Sequence, residues 1–517
     1  MRSILATRNR FALIVAATCA ALLAAAVCGP GAPTEAGAAD KVPRFEPSPC
    51  PALPAVKALT NARCGYLVVP EDRRRPAGRT IRLIVAIVPA VTSRPAPDPV
   101  VYLAGGPGGS ALTEADLAVA AGLNRDRDLV LMNQRGTYLS VPALTCASID
   151  DFARRSLGLR FYAEPTLRAH LAATRACREK LVATGAELSA YNSSENAADF
   201  ADLRHVLGYP QWNVFGDSYG AYLAQTLMRD HPSGIRSVIL DSTIPVSEVT
   251  IPGFWFNTRA GFDNLFRACA AQAACRSAHP HLEDTFTRLV NELQASPLTS
   301  TVRDPGTGAA TEVVTDGGAL VNWLHTPEFF RGVPDLIDQL AARRPAAVEA
   351  IAKERIAEAP LAGPDVPAVG YGLRLGVYCR EWYPFATGRA LRDAGRRAFP
   401  RYPASIQGEA VGSWAYANDD CGQVWHVPPA SPAVRRAPRS TIPTLLISGS
   451  FDAVASLDWT KAAASTLPHS TVIRIPGVGH YVAPQSPCAQ AVIASFLANP
   501  NAPDTSCVGA LVPPDFT

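Results

Sequence analysis

Trp212-Asn213-Val214-Phe215-Gly216-Asp217-Ser218-Tyr219-Gly220 is the stretch on which the reading of this chain turns. A short strand, Trp212 to Phe215, enters a Gly-x-Ser-x-Gly turn. A helix from Tyr219 to about Arg229 leaves it and is stopped by Pro232. That strand-turn-helix context is what a nucleophile elbow requires. Glycines are needed at 216 and 220 because so sharp a turn brings the backbone too close to its neighbours for a side chain. Ser218 is then held at the carboxyl end of a strand, with its Oγ exposed and a helix N-terminus beneath it. The plainer alternative is a glycine-rich turn with an incidental serine.

A serine hydroxyl is a poor nucleophile until a base takes its proton and an acid orients that base. In doubly wound hydrolases the chain order is Ser, acid, His. Downstream, the strand Thr444 to Ile447 runs into Ser448-Gly449-Ser450-Phe451-Asp452, and the strand Thr471 to Ile475 runs into Pro476-Gly477-Val478-Gly479-His480. Asp452 and His480 therefore sit just past strand ends, on the same sheet edge as Ser218, where open α/β folds bind ligands. Asp458 lies in the first turn of a helix and His469 precedes its strand, so both fit the role less well.

Ahead of the elbow, Val100 to Ala104 ends in Gly105-Gly106-Pro107-Gly108-Gly109. No Lys-Ser/Thr follows, which argues against a phosphate-binding loop. Beside an elbow the run reads as half of an oxyanion hole. One N–H comes from Gly105, with Gly106 the alternative, and the other from Tyr219.

Strands alternating with helices imply an α/β fold with a doubly wound, mostly parallel sheet. The rhythm breaks at about Ser242, gives way to helical stretches, and returns after a Pro- and Arg-rich segment, Val427 to Pro443. The expected organisation is a signal peptide over 1–39, a core over 40–241, a helical cap inserted between strands over 242–437, and the rest of the core over 438–517.

The chain has 517 residues, 48% hydrophobic and 18% charged, too apolar for disorder. Its net charge of +3 carries no footprint for nucleic acid or an anionic membrane. Arg2, Arg8 and Arg10 precede the apolar run Phe11 to Val27, and Ala36-Gly37-Ala38 offers a cleavage site. These features point to a secreted, periplasmic or cell-envelope protein. An uncleaved anchor or a lipoprotein through Cys28 are the alternatives, and no later stretch is apolar enough to span a membrane. Ten further cysteines, without CxxC or His pairs at ligand spacing, read as disulfides rather than zinc ligands. Pairing each with its neighbour (50–64, 146–177, 269–275, 379–421, 488–507) is the expectation. Asn192-Ser193-Ser194 is a sequon.

The run Val100 to Gly108 resembles the GGPG loop of proline iminopeptidase-type α/β-hydrolases, and Asn133-Gln134-Arg135-Gly136 resembles their DQRG turn. Glu71-Asp72-Arg73, Cys269 to Cys275, Cys379-Arg380-Glu381 and the Cys-bearing C-terminal segment look like the secreted tripeptidyl aminopeptidase (TAP-like) branch. Ala104 and Asn133 depart from the usual His and Asp, and Thr137-Tyr138 is bulkier than usual. The resemblance implies an α/β-hydrolase fold with a helical cap, and release of residues or short peptides from free N-termini through an acyl-enzyme. It implies no metal or organic cofactor and a monomer whose partner is a peptide or small ester.

Such an enzyme needs a carboxylate for the substrate ammonium. The resemblance puts that role on Glu381, with Glu248 as a fallback. A carboxylesterase or lipase on the same triad, and a catalytically inactive binding protein on the same fold, remain as alternatives.

Overall fold

The computed structural model describes residues 42–516, apart from 54, 305, 328–329, 360–368 and 413–414. The segment read as a signal peptide lies outside them. The described residues belong to one compact unit. Its spine is a nine-stranded sheet of β1 (Arg44–Ser48), β2 (Arg63–Pro70), β3 (Thr80–Val88), β4 (Val100–Leu103), β5 (Leu129–Met132), β6 (Trp212–Asp217), β7 (Ile235–Asp241), β10 (Thr444–Gly449) and β11 (Ser470–Ile475). The spatial order is β1-β2-β3-β5-β4-β6-β7-β10-β11. The pairings β1-β2, β2-β3 and β3-β5 are antiparallel, and β5-β4, β4-β6, β6-β7, β7-β10 and β10-β11 are parallel.

The buried parallel strands are nearly continuous apolar runs because helices cover both faces. One core layer gathers Val101, Leu103, Val214 and Leu240, and the other Val100, Tyr102, Phe215 and Ile239. Neighbouring residues of one strand thus serve opposite faces.

Between β7 and β10 the chain runs through helices, led by Thr250–Ala271. It also forms a hairpin, β8 (Leu298–Arg303) with β9 (Ala310–Thr315), that the helical reading of this region lacked. Its Thr- and Val-rich strands flank a turn in which Asp304 Oδ1 accepts the Gly306 and Thr307 N–H groups. Asn192 of the sequon is buried. Its side-chain oxygen caps the helix Ser193–Val206 by accepting the Glu195 N–H at 3.0 Å.

Two of the sequence motifs meet on one carboxylate. Arg135 is wholly buried and grips Asp199 with both forks at 2.8 Å, while it also donates to the Glu71 and Ala190 carbonyls. Arg73 reaches the same Asp199 at 2.7 Å. Gln134 Nε2 donates to the Ala104 carbonyl at 2.8 Å, pinning the exit of β4. Asn133 accepts the Leu112 N–H and donates to Ser110 and Tyr138. These residues are structural anchors.

A cluster of acids lies beneath the glycine loop. Tyr102 donates its hydroxyl to Glu114 at 2.8 Å, and Asp217 and Asp241 lie close enough for their charges to be felt. Burial pushes Glu114 up to about 7, and burial with the charges of Glu114 and Asp241 pushes Asp217 well up.

All ten cysteines outside the amino-terminal segment pair with their neighbours, 50–64, 146–177, 269–275, 379–421 and 488–507, as expected. Non-reducing peptide mapping should return these five bridges, and their reduction should destabilise the protein by about 2–5 kcal/mol each. A free thiol at any of the ten positions would contradict the pairing.

A second expectation concerns Glu114. Its folded value lies above the ordinary 4.5, so the folded state keeps a proton that the unfolded chain releases. Stability contributed by this group is present below about pH 4.5 and is lost as pH rises through about 7. Glu114→Gln keeps an acceptor for Tyr102 but removes the titration. Its melting temperature should fall less between about pH 5 and about pH 8 than that of the unaltered protein. Parallel curves would count against the buried acid.

Candidate active site

Ser218 sits between β6 and the helix Tyr219–Asp230 with φ 55° and ψ −119°, an unfavourable backbone for a residue with a Cβ. Sterics explain the glycines on either side. A Cβ on Gly216 would lie 2.3 Å from the Gly220 carbonyl oxygen, and one on Gly220 would lie 1.8 Å from that of Leu103. The elbow is therefore pressed against the end of β4, where the glycine loop begins. A Cβ on Gly105 would meet the Tyr481 hydroxyl at 2.6 Å and the Asp217 carbonyl oxygen at 3.2 Å. The two residues expected to supply oxyanion N–H groups, Gly105 and Tyr219, thus flank the same contact between loop and elbow.

Asp452 and His480 come together. His480 Nδ1 donates to Asp452 Oδ2 at 2.9 Å, which leaves Nε2 as the nitrogen with a lone pair. The other carboxylate oxygen of Asp452 accepts the Val454 and Ala455 N–H groups, both at 2.8 Å, so its orientation is set by its own turn. The two loops are themselves joined. Phe451 N–H donates to the Val478 carbonyl, and the Gly477 N–H donates to Ser450 Oγ.

Asp241, at the end of β7, links this pair to the elbow. Its carbonyl accepts the Ser218 N–H at 3.0 Å, and its carboxylate accepts the Val482 and Ala483 N–H groups at 3.1 and 2.8 Å. Burial raises its carboxyl to about 6 although those N–H groups favour the charge. Sequence reasoning passed over Asp241, for an acid at a strand end gives no sign of which later loop it will hold.

The long helix Thr250–Ala271 clamps the acid loop from above. Asn257, Thr258 and Asn264 bond the carbonyls of Val454, Ala453 and Ser450. His325 was also missed. It ends the helix Gly317–His325, has the Ala453 backbone as a partner, and feels both Asp452 and His480. Burial pushes it down to about 4, so it stands beside the pair as a neutral ring. No spacing in the sequence marks it.

Glu381 lies against the helix that leaves the elbow, close enough for its charge to be felt at Tyr219 and Tyr222. It is 3% exposed, in the helical turn Tyr378–Trp382, and its Oε1 accepts the Ser193 N–H at 2.7 Å. Ser193 Oγ in turn bonds the Tyr219 hydroxyl at 2.9 Å. Burial raises the Glu381 carboxyl, and Ser193 draws it back. The carboxylate is thus already engaged at a helix N-terminus, where the macrodipole favours it. Glu248 is a partly buried residue between β7 and the helix Thr250–Ala271.

Residues 98–346 match the model of the alpha/beta hydrolase fold, and residues 409–507 match that of the TAP-like protein. A tripeptidyl aminopeptidase of Streptomyces coelicolor is 28% identical over 235 residues, 43% of either chain, so the match spans less than half of that relative. Serine protease Hip1 of Mycobacterium tuberculosis is 25% identical over 423 residues, 77% of this chain and 78% of that one. Among solved structures, a proline iminopeptidase of Mycobacterium smegmatis aligns over 84% of this chain and 98% of its own at 18% identity, with a TM-score of 0.37. The chain has the alpha/beta hydrolase fold, and its residues 409–507 are similar to the TAP-like proteins.

Proposed function

We propose that the chain is a secreted serine peptidase that releases short peptides or single residues from free N-termini. Ser218 attacks the scissile carbonyl, and His480 Nε2 takes its proton. Asp452 holds the imidazolium that results, and the N–H groups of Gly105 and Tyr219 receive the developing oxyanion. His480 Nε2 gives that proton to the departing amine as the C–N bond breaks, and the acyl-enzyme is hydrolysed when the neutral His480 takes a proton from water and passes it to Ser218 as the acyl–oxygen bond breaks. The observation that carries this reading is the Asp452–His480 pair, bound through Asp241 to the backbone of a strained serine. The names of the relatives, a tripeptidyl aminopeptidase and a serine protease, support peptide over ester as substrate. Five disulfides support an oxidising compartment.

Ser218→Ala should lower kcat for a chromogenic peptide by several orders of magnitude. Ser218, Asp452 and His480 should also be strongly non-additive, because they act as a unit. Additive losses in the double variants would refute the assignment, as would failure of a fluorophosphonate to label Ser218.

Glu381 enters this proposal as a brace. Its bond to Ser193 positions the side chain of Tyr219, the residue after the nucleophile. Glu381→Gln should therefore lower turnover of a free N-terminal peptide and of a small neutral ester by similar factors. A loss confined to the peptide, about tenfold to several hundredfold, would instead make Glu381 the ammonium acceptor.

A further inference from the structure

Asp217, the residue before the nucleophile, is a carboxyl that the reaction leaves unused. It ends β6, is 2% exposed, and neither of its oxygens has a hydrogen-bond partner among the described residues. Its place is the underside of the glycine loop. Asp217 Oδ2 lies 3.2 Å from where a Cβ on Gly105 would be, and Glu114 Oε1 lies 2.9 Å from where one on Gly109 would be. The Gly109 N–H closes that turn onto the Gly105 carbonyl at 3.2 Å, so two acids lie against one small turn. The Tyr481 hydroxyl, from the residue after His480, meets the same Gly105.

The titrating groups that face Asp217 come from four elements: Tyr102 of β4, Glu114 ahead of the helix Ala115–Ala120, Asp241 of β7, and Tyr481. Arg374 and His480 are felt one step further out, at Tyr481 and Asp241. Asp241 accepts the Val482 and Ala483 N–H groups, so it can hold a charge. The Tyr102 hydroxyl also favours the charged form of Asp217, but it is donated to Glu114 at 2.8 Å. Glu114 therefore has a donor of its own, and Asp217 has none. A buried carboxylate without a donor is costly, whereas a protonated carboxyl has no charge to satisfy. Burial and the charges of Glu114 and Asp241 act in the same direction and hold the proton on Asp217. Burial also pushes both tyrosine hydroxyls well up, so neither supplies a charge here.

The consequence falls on the oxyanion. Gly105, which lies over Asp217, is expected to present its N–H to that oxygen, and Tyr219 stands on the other side of Ser218. An ionised Asp217 would put a second negative charge beneath a site built to receive one, in surroundings that screen it little. We propose that Asp217 keeps a proton while the enzyme is active, and that loss of this proton shuts catalysis down at alkaline pH. Asp217 touches no substrate and acts through Gly105, so it is a positioning residue. Glu114 tunes the switch. It ionises first, at about 7, and its charge then helps Asp217 to keep its own proton. This deepens the serine-hydrolase reading and rests on it, with Ser218 as the nucleophile and Gly105 as an oxyanion donor.

The test follows hydrolysis of p-nitrophenyl acetate, an ester with no titrating group, by the full mature chain from about pH 5 to about pH 10, corrected for uncatalysed hydrolysis. The unaltered protein should show an alkaline limb along which kcat/KM falls at least about tenfold. The readout is the midpoint of that limb, whatever activity a variant retains. Asp217→Asn, neutral at every pH, should remove the limb or displace it upward by more than about one pH unit. Glu114→Gln removes the charge that helps Asp217 to stay protonated, so it should displace the limb downward. Two neutralising substitutions thus move one limb in opposite directions. The Ser218→Ala protein reports the proton without catalysis. Its difference infrared spectra across the limb should show a carboxylic-acid carbonyl band that vanishes as pH rises and is missing once Asp217→Asn is added. Absence of the limb, a limb that Asp217→Asn leaves in place in folded protein, an upward displacement by Glu114→Gln, or an infrared band indifferent to Asp217→Asn overturns the proposal. With Ser218 still labelled by fluorophosphonate, those results count against Asp217 alone. If Ser218 resists the label and the ester is not turned over, the nucleophile reading fails and takes the alkaline shutdown with it.

Discussion

The fold turns on a steric constraint: the backbone leaving β4 and the helix leaving the elbow occupy almost the same space. The Leu103 carbonyl lies where a side chain on residue 220 would begin, and the Gly220 carbonyl lies where one on residue 216 would begin. Only glycine permits that approach, and a closely packed interior has no slack to accommodate anything larger. Because these elements are in contact, the glycine loop and the start of the helix address one small volume. Ser218 is held in its strained conformation by the same contact and by its bond to Asp241. The strain is local, while the strands that sustain it are buried on both faces.

Hydrogen bonds carry that constraint outward. Asp241 joins the elbow to the segment after His480, and Gln134 fixes the exit of β4. Arg135 and Arg73 converge on Asp199 and tie the antiparallel edge of the sheet to the helix Ser193–Val206. The first residue of that helix reaches Glu381 in the inserted region. On the far side, Asn257 and Asn264 of the insertion bond the turn that carries Asp452. The helices between β7 and β10 are therefore part of what holds the acid in position.

The parts legible in the sequence are those written in local spacing. A strand, a glycine turn and a helix can be read from Trp212 to Arg229. Asp452 and His480 can be placed because each follows an apolar run by a few residues. What escaped is long-range. His325 comes 127 residues before Asp452 and carries no motif of its own. Asp241 looks like any acid at a strand end until the loop after His480 folds onto it. Glu381 was read for its neighbours in the chain, yet its partner is Ser193, which is 188 residues away. The hairpin of β8 and β9 was lost because its two strands are short and sit among helices. Its alternation of Thr and Val is a weaker signal than the helical pattern around it.

Two of the five cross-links tie together elements that line a cavity of about 400 Å³, whose wall includes Phe152, His170, Tyr378 and Asp420. Cys146–Cys177 joins the start of the helix that carries Phe152 to the helix that carries His170. Cys379–Cys421 joins the turn beginning at Tyr378 to the residue after Asp420. Walls tied this way have few alternative arrangements even in the unfolded chain, so the outline of the cavity is set by covalent bonds as much as by packing.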